Sequence, residues 1–117
     1  MGRTRKLRLE TEDRWPSLYQ FLGAYLHEDW PEDDGTPEAA VDHAISDYSL
    51  EQRKLVAKEW WDWNAKIGSQ NDPRRHVNDG LGVNVLFRKP EDARAFMNLV
   101  YDKLIVSIRK EAKGWKP

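Results

Sequence analysis

Histidine and carboxylate side chains stand next to each other at two places in this sequence, and such pairs can bind a metal or move a proton. His27 is followed directly by Glu28 and Asp29, while His43 and Asp47 are four residues apart. A helical zinc site needs a second histidine four residues after the first, and after His27 that position is a proline. Two ligands on one helix do not make a metal site either. We therefore expect no metal and no cofactor, and we interpret His43 and Asp47 as a solvated hydrogen-bonded pair.

Glu59 and Asp62 form a carboxylate pair on one helix face and are the other candidates for acid–base chemistry. Three tryptophans surround them, so we interpret the pair as the rim of an aromatic surface. The serines offer no nucleophile, since Ser49 has the position of a helix cap and none lies in a strand–turn–helix elbow. The glycines within 80–82 lack the lysine and the following helix of a phosphate-binding loop. The sequence predicts no catalytic residue, and we expect that the protein is not an enzyme.

The Trp-Trp-Asp-Trp run has the residue types of a binding surface. Trp60 and Trp63 fall on one helix face with Val56 and Ile67, and this spacing predicts core positions. Trp61 is rotated by about 100° from Trp60 on a helix, so its ring is the candidate for exposure. Exposed tryptophans are frequent anchors of protein–protein interfaces. The alternative is that all three rings are covered by neighbouring helices.

Charge is divided unevenly along the chain, although the formal net charge is only −1. Residues 28–62 hold eleven acidic and three basic side chains, whereas residues 63–117 hold six acidic and eleven basic ones. Such a distribution gives each part of the molecule its own preferred partner. The strongly acidic segment repels phosphate, which argues against a nucleic-acid-binding domain. The candidate nucleic-acid surface in the basic part consists of Arg74, Arg75, Arg88, Lys89 and Arg94, with His76 nearby.

Length and composition set outer limits on the class of protein. A chain of 117 residues is close to the usual size of one domain, and we expect residues 1–117 to form a single domain. The chain has no cysteine, which excludes disulfides and thiolate metal sites. Its basic N-terminus lacks the apolar stretch of a signal peptide, and no segment has the roughly 18 apolar residues of a membrane span. We expect a cytoplasmic protein.

Start and stop signals divide the chain into helices. A proline after a tryptophan or a threonine marks two starts, and a Ser-Leu-Glu-Gln capping box marks a third. Gly23 lies inside the first helix, where glycine costs about 1 kcal/mol relative to alanine, and this indicates the close approach of another backbone. The predicted helices run from Pro16 to Trp30, over 37–47, from Ser49 to near Gly68, and from about Glu91 to Ala112.

Two segments have the alternating pattern of strands, namely residues 5–10 and residues 82–87. They lie on either side of a polar loop at 68–80 and of the central helices. A lone strand leaves backbone groups unpaired, so these two segments are the candidates for a minimal two-stranded β element. The alternative is an edge left open for a partner. The predicted fold class is mainly α, with about four helices packed as a small bundle.

Residues 15–30 begin with an aromatic residue and a proline, continue with a Leu-x-Gln-Phe-x-Gly-x-Tyr pattern, and end on Asp-Trp. This pattern resembles the N-terminal signature of one group of small immunity proteins from bacterial contact-dependent growth inhibition systems. The resemblance implies a protein that is not an enzyme and that binds and blocks the C-terminal toxin domain of its own system's secreted effector. The residues that fit the pattern are Leu18, Gln20, Phe21, Gly23, Tyr25, Asp29 and Trp30.

Many toxins of these systems are nucleases, so the resemblance implies a nuclease partner, for example one that cleaves tRNA, blocked at its active site or its substrate-binding surface. A nuclease presents a cationic surface to phosphates, and an acidic inhibitor is attracted to that surface. The alternative function is a small nucleic-acid-binding or regulatory domain that uses the basic C-terminal half. The residues that we expect to bind the toxin are Glu32, Asp33, Asp34, Glu38, Asp42 and Asp47, with Trp61 as the apolar anchor.

Overall fold

The computed structural model describes residues 2–69 and 72–117, and most of these residues are helical. None of the described residues belongs to a strand. The predicted fold class, mainly α, is confirmed, while residues 70 and 71 of the predicted polar loop lie outside the described residues. The elements are α1 (Gly2–Arg14), α2 (Pro16–Tyr25), α3 (Trp30–Asp33), α4 (Pro37–Asp47), α5 (Leu50–Trp63), the π-helical turns Asn64–Gly68 and His76–Gly80, and α6 (Pro90–Glu111).

Four of these helices form a bundle around the hydrophobic core. Helices α2 and α6 each pack against both α4 and α5. The apolar stripes that the sequence predicts for these helices face inward, and most of their side chains are buried. No helix of the described residues is long and apolar enough to cross a membrane. The largest buried side chains of the four helices include Leu18, Phe21, Leu22, Val41, Val56, Trp63, Met97, Leu104 and Ile108.

The predicted starts of α4 and α5 are confirmed by their caps. The Thr36 hydroxyl accepts a hydrogen bond from the backbone N–H of Ala39 at 3.1 Å, in front of α4. Ser49 and Gln52 form the predicted capping box of α5, because each side chain accepts from the other residue's backbone N–H. These contacts satisfy amide groups that a helix leaves without an internal partner at its first turn.

Helix α2 is shorter than predicted and ends at Tyr25 instead of Trp30. Pro31 has no N–H, so it cannot donate the hydrogen bond to the residue 27 carbonyl that a continuous helix requires. The Leu26 carbonyl instead accepts a hydrogen bond from the backbone N–H of Asn84 at 2.7 Å. Residues 27–29 form a turn, and the single-turn helix α3 follows it. The acidic loop is therefore partly helical and is held against the segment that contains Asn84.

Residues 5–10 are helical, so the β element considered for them and residues 82–87 does not form. Leu7 and Leu9 do not line a core, since Leu7 is half-buried and Leu9 is 55% exposed. Helix α1 packs against the π turn His76–Gly80. A Cβ on Gly80 would lie only 2.9 Å from the Thr11 hydroxyl, so the two backbones approach closely. This contact between segments far apart in sequence stabilises a helix that has no apolar face of its own.

Gly82 has a positive φ, and residues 83–87 alternate like an extended chain but belong to no ladder among the described residues. The side chains of Val83 and Phe87 are buried, Val85 is half-buried, and Leu86 is 79% exposed. This alternation is the one that the sequence predicts for a half-buried strand. The backbone at the start of the segment crosses α2, where a Cβ on Gly23 would lie 3.5 Å from the Leu81 carbonyl oxygen. The close approach predicted at Gly23 is confirmed.

Candidate functional site

Polar contacts of His43 and Asp47 join α4 to α2 and to the loop after α3. His43 Nδ1 lies 3.1 Å from Asp34 Oδ1, and His43 Nε2 lies 3.4 Å from Asp47 Oδ2. The Tyr25 hydroxyl donates to Asp47 at 2.8 Å. Burial and the hydrogen bond to Asp47 raise the pKa of Tyr25 to about 12. His43 and Asp47 are solvent-accessible and within ion-pair distance of each other, and their hydrogen bonds go to Asp34 and Tyr25 instead.

Asp42 lies on the other side of α4 and has a partner of its own. Its carboxylate accepts a hydrogen bond from Lys103 Nζ of α6 at 2.9 Å. Three of the six carboxylates expected to bind a partner, Asp34, Asp42 and Asp47, therefore already have a side-chain partner inside the molecule. Their charges are partly neutralised by groups that the sequence alone does not place next to them.

The other expected carboxylates, Glu32, Asp33 and Glu38, are exposed and have no ion-pair partner among the described residues. Glu28, at the turn before α3, shares both properties. We call these four the free carboxylates. They lie in a stretch, residues 15–52, that contains nine carboxylates and no lysine or arginine. With no cation nearby in sequence, this face keeps a negative potential that attracts cationic partners.

His27 does not combine with its neighbours into a metal site. Its Nδ1 accepts a hydrogen bond from the Asp29 backbone N–H at 3.0 Å, which occupies that nitrogen's lone pair. Among the described residues, no group of three or more His, Asp or Glu side chains is placed to hold a metal ion.

Trp60, Trp61 and Tyr101 form an aromatic cluster between α5 and α6. Trp60 and Trp63 are buried, as predicted, and Trp60 Nε1 donates to the Met97 carbonyl at 2.9 Å. The Trp61 ring is 57% exposed and lies 5.8 Å from the Tyr101 ring, centroid to centroid. The prediction of an exposed ring in this run is confirmed for Trp61.

Trp61 and the acidic residues lie on opposite sides of α6. Trp61 packs on Tyr101, whereas Asp42 is bonded to Lys103. Side chains two residues apart on a helix point about 200° away from each other. The structure therefore does not bring Trp61 together with the carboxylates, and an interface that includes both has to extend around this helix.

The sequence-based interpretation of Glu59 and Asp62 as the rim of an aromatic surface is wrong. Glu59 Oε1 accepts hydrogen bonds from the backbone N–H groups of Ser17 and Leu18, at 2.8 and 3.0 Å. Asp62 accepts a hydrogen bond from Trp15 Nε1 at 2.8 Å. A hydrogen bond from Lys66, followed in importance by the one from Trp15, lowers the pKa of Asp62. The two carboxylates hold the start of α2 against α5, which is a structural role and not a catalytic one.

The basic candidate surface is also partly neutralised. The Arg74 guanidinium is bonded to Asp72, with Nη2 at 2.6 Å, and it also donates to the Arg88 carbonyl at 2.8 Å. The Arg74 guanidinium holds the pKa of Asp72 below its usual value. Burial, together with the nearby charge of Arg75, lowers the pKa of His76 and so disfavours its cationic form. At least two members of the set, Arg74 and His76, therefore offer little free positive charge to a phosphate.

Two further residues belong to these surfaces and were missed in the sequence. Glu28 is a free carboxylate one turn before those expected, and its position inside the acidic run was a usable signal. Tyr101 supports the Trp61 ring from α6, and no local pattern links two residues forty positions apart. Helix periodicity places Tyr101 beside the core stripe of α6. It does not show that the Tyr101 ring contacts the Trp61 ring.

The family model described as CdiI immunity protein matches residues 14–104. This match covers most of the chain, from the residue before Trp15 into α6, and the chain belongs to the CdiI immunity protein family. Members of this family protect against the toxin of a contact-dependent growth inhibition system, so the protein is a toxin inhibitor and not an enzyme. The resemblance of residues 15–30 is thereby confirmed. Neither the curated proteins nor the solved structures gave a match to this chain.

Proposed function

We propose that this immunity protein binds the C-terminal toxin domain of its cognate effector in the cytoplasm and covers a cationic surface by which that toxin, a nuclease, holds its nucleic-acid substrate. The observation that carries the proposal is the charge of residues 15–52, which contain nine carboxylates and no lysine or arginine. The free carboxylates on and around α3 support it further, because none of them has an ion-pair partner in the part of the chain that the structure describes.

A charged face of this kind acts first on the rate of encounter. Complementary charge raises association rates well above those of neutral pairs and favours the correct partner over others. Close charge pairs across a nuclease–inhibitor interface contribute about 1.5–7 kcal/mol, so a few carboxylates are enough to determine affinity. Glu32, Asp33 and Glu38 are the strongest candidates, since they are available without breaking an internal ion pair.

The expected carboxylates that already have a side-chain partner inside the molecule have a second role in the proposal. Asp34 and Asp47 contribute negative charge to the same face, and the internal contacts of Asp34, Asp42 and Asp47 hold α3 and α4 in place. A fixed arrangement of charges loses less entropy on binding than a mobile one. Trp61 is the proposed apolar anchor, at the part of the interface that lies beyond α6.

The test is a growth and binding experiment with the toxin domain encoded directly upstream of this protein. Cells that produce the toxin domain should grow only when they also produce the immunity protein, and the purified proteins should form a stable complex. Nuclease activity of the purified toxin domain should fall in proportion to the immunity protein added. Rescue of growth without inhibition of nucleic-acid cleavage would show that the blocked activity is of another kind.

A further inference from the structure

The extended segment 83–87 has backbone groups on one edge that the chain itself does not use. Asn84 is fully paired, because its N–H donates to the Leu26 carbonyl at 2.7 Å and its carbonyl accepts from Trp30 Nε1 at 2.7 Å. In an extended chain the N–H and C=O of one residue point to the same edge, and the next residue but one repeats that direction. Leu86 therefore continues the edge that Asn84 begins.

The backbone N–H and carbonyl of Leu86 have no hydrogen-bond partner in the described part of the chain. On the opposite edge, the Asn78 side chain donates to the carbonyls of Val83 and Val85, at 2.9 and 2.8 Å. Asn78 thus holds the segment straight by its other edge without a neighbouring strand. The result is an extended segment with one short edge whose backbone groups are still open. Such edges pair readily with an extended chain from another molecule.

The surroundings of this edge indicate the charge of its partner. Leu86 lines a groove of about 690 Å³ together with Glu28 and His27, and Trp30 ties the acidic helix α3 to Asn84. Arg8 and Asp79 also line the groove, and Arg8 Nε donates to the Asp79 carbonyl, so the carboxylates of the lining outnumber its guanidinium. A second copy of this chain would bring its own carboxylates against the same face, and like charges disfavour that pairing.

We infer that the edge at Leu86 is a docking site for an extended, basic segment of the toxin, which adds to it by backbone hydrogen bonds while its Lys or Arg side chains reach the carboxylates beside α3. The inference rests on the proposed function, since it assigns the same partner to a defined backbone edge. Leu86, which is 79% exposed, supplies the apolar contact beside the pairing. Backbone pairing gives affinity, and the flanking charges give specificity.

Amide hydrogen exchange of the free protein and of its complex with the upstream toxin domain tests this inference. The Leu86 amide should exchange roughly tenfold more slowly in the complex, because it gains a hydrogen bond there. The Val83 and Asn84 amides, already bonded to Val77 and Leu26, are internal controls that are protected in both states. A stable complex in which the Leu86 amide exchanges as in the free protein would overturn the inference and leave the proposed function standing.

Two substitutions separate backbone pairing from the side-chain contact. Leu86→Pro removes the N–H at a position where the fold does not use it, and it should weaken toxin binding by roughly tenfold, whereas Leu86→Ala keeps the N–H and should weaken binding less. Glu28→Lys should weaken binding further than Glu12→Lys, which changes an exposed carboxylate of α1 away from the groove. If the two Glu variants bind the toxin equally well, the positive charge of the partner segment is not what this edge recognises, and that part of the inference is wrong.

Two further outcomes would also overturn the inference. If no complex forms, the proposed function fails and this inference fails with it. If the Leu86 amide becomes protected in the free protein as its concentration rises, and sedimentation shows a dimer, a second copy covers the edge and the inference is overturned. Because the exchange experiment uses the unaltered protein, its result stands even if Leu86→Pro folds poorly.

Discussion

The carboxylate of Glu59, on α5, accepts a 2.8 Å hydrogen bond from the backbone N–H of Ser17 in the first turn of α2. Trp15, the residue in front of this helix, makes no side-chain capping bond. A neighbouring helix thus supplies the cap that the local sequence lacks. The first turn of α2 depends on tertiary structure, and this dependence is measurable.

Replacing Glu59 by Ala should lower the free energy of unfolding by about 1–2 kcal/mol, because two amides at the start of α2 lose their charged acceptor. Glu59→Gln keeps an acceptor oxygen and should cost less than half of that amount. Urea denaturation followed by circular dichroism measures both variants. Equal losses for Ala and Gln would mean that the hydrogen bonds of Glu59 are not what stabilises this helix start.

Trp60 and Trp61 should respond to substitution in opposite ways. Trp60→Ala leaves a cavity in the core and removes the bond to Met97, so the free energy of unfolding should fall by about 3–5 kcal/mol. Trp61→Ala removes a ring that is 57% exposed, and its stability should change little. Toxin affinity should instead fall by about tenfold or more, as for other interface tryptophans. Isothermal titration calorimetry with the toxin domain, at a temperature where both variants are folded, separates the two effects, and unchanged affinity for Trp61→Ala would remove this residue from the interface.

The free carboxylates should matter more for toxin binding than the paired ones. Replacing Glu32, Asp33 and Glu38 together by Gln, Asn and Gln should slow association and flatten its dependence on salt concentration, because long-range attraction is lost. Asp42→Asn is the matched control, since the charge of Asp42 is already offset by Lys103. Stopped-flow association rates at low and high salt measure the difference, and an equal salt dependence in the wild type and the triple variant would place the contact elsewhere.

Tyr25 should make the protein less stable at strongly alkaline pH. Its pKa is raised to about 12 by burial and by Asp47, compared with an ordinary value of 10.0. The folded state therefore holds this proton more tightly than the unfolded state, so the contribution of Tyr25 to stability is complete below pH 10 and is lost as the pH rises toward 12.

The Asp47→Asn variant tests the cause of that shift. It removes the negative charge beside the phenol, so the pKa of Tyr25 should fall but should stay above 10.0, because burial remains. The difference in tyrosinate absorbance between the wild type and the variant during alkaline titration reports this change. A titration curve that is the same in both proteins would show that Asp47 does not contribute.

Local signals were enough to predict all four bundle helices, although α2 ends earlier than predicted. Prolines at first turns and the Ser49–Gln52 box act within four residues, so the starts of α2, α4 and α5 follow from the sequence itself. Helix α1 was predicted as a strand because Leu7 and Leu9 alternate, and neither side chain lines the core. What holds α1 is the π turn His76–Gly80, in a polar loop without apolar periodicity. No local pattern reports such a contact.

The candidate site, like the fold, could be predicted from the sequence only in part. The sequence shows where the carboxylates are concentrated, since charge is a property of composition. It does not distinguish Asp33 from Asp42, because the partner of Asp42 is Lys103, sixty-one residues later. Which carboxylates remain available to a toxin is decided by how α6 packs against α4, and that requires the fold.

The absence of lysine and arginine from residues 15–52 has a practical consequence for mapping the complex. Amine-reactive cross-linkers have no side chain to attack on α2, α3 or α4, so a complex formed through this face would escape them. A carbodiimide, which joins carboxylates directly to amines, would couple this face to the partner's lysines. Trypsin would then release the cross-linked face as one long peptide that ends at Arg53, which makes the attachment easy to recognise by mass.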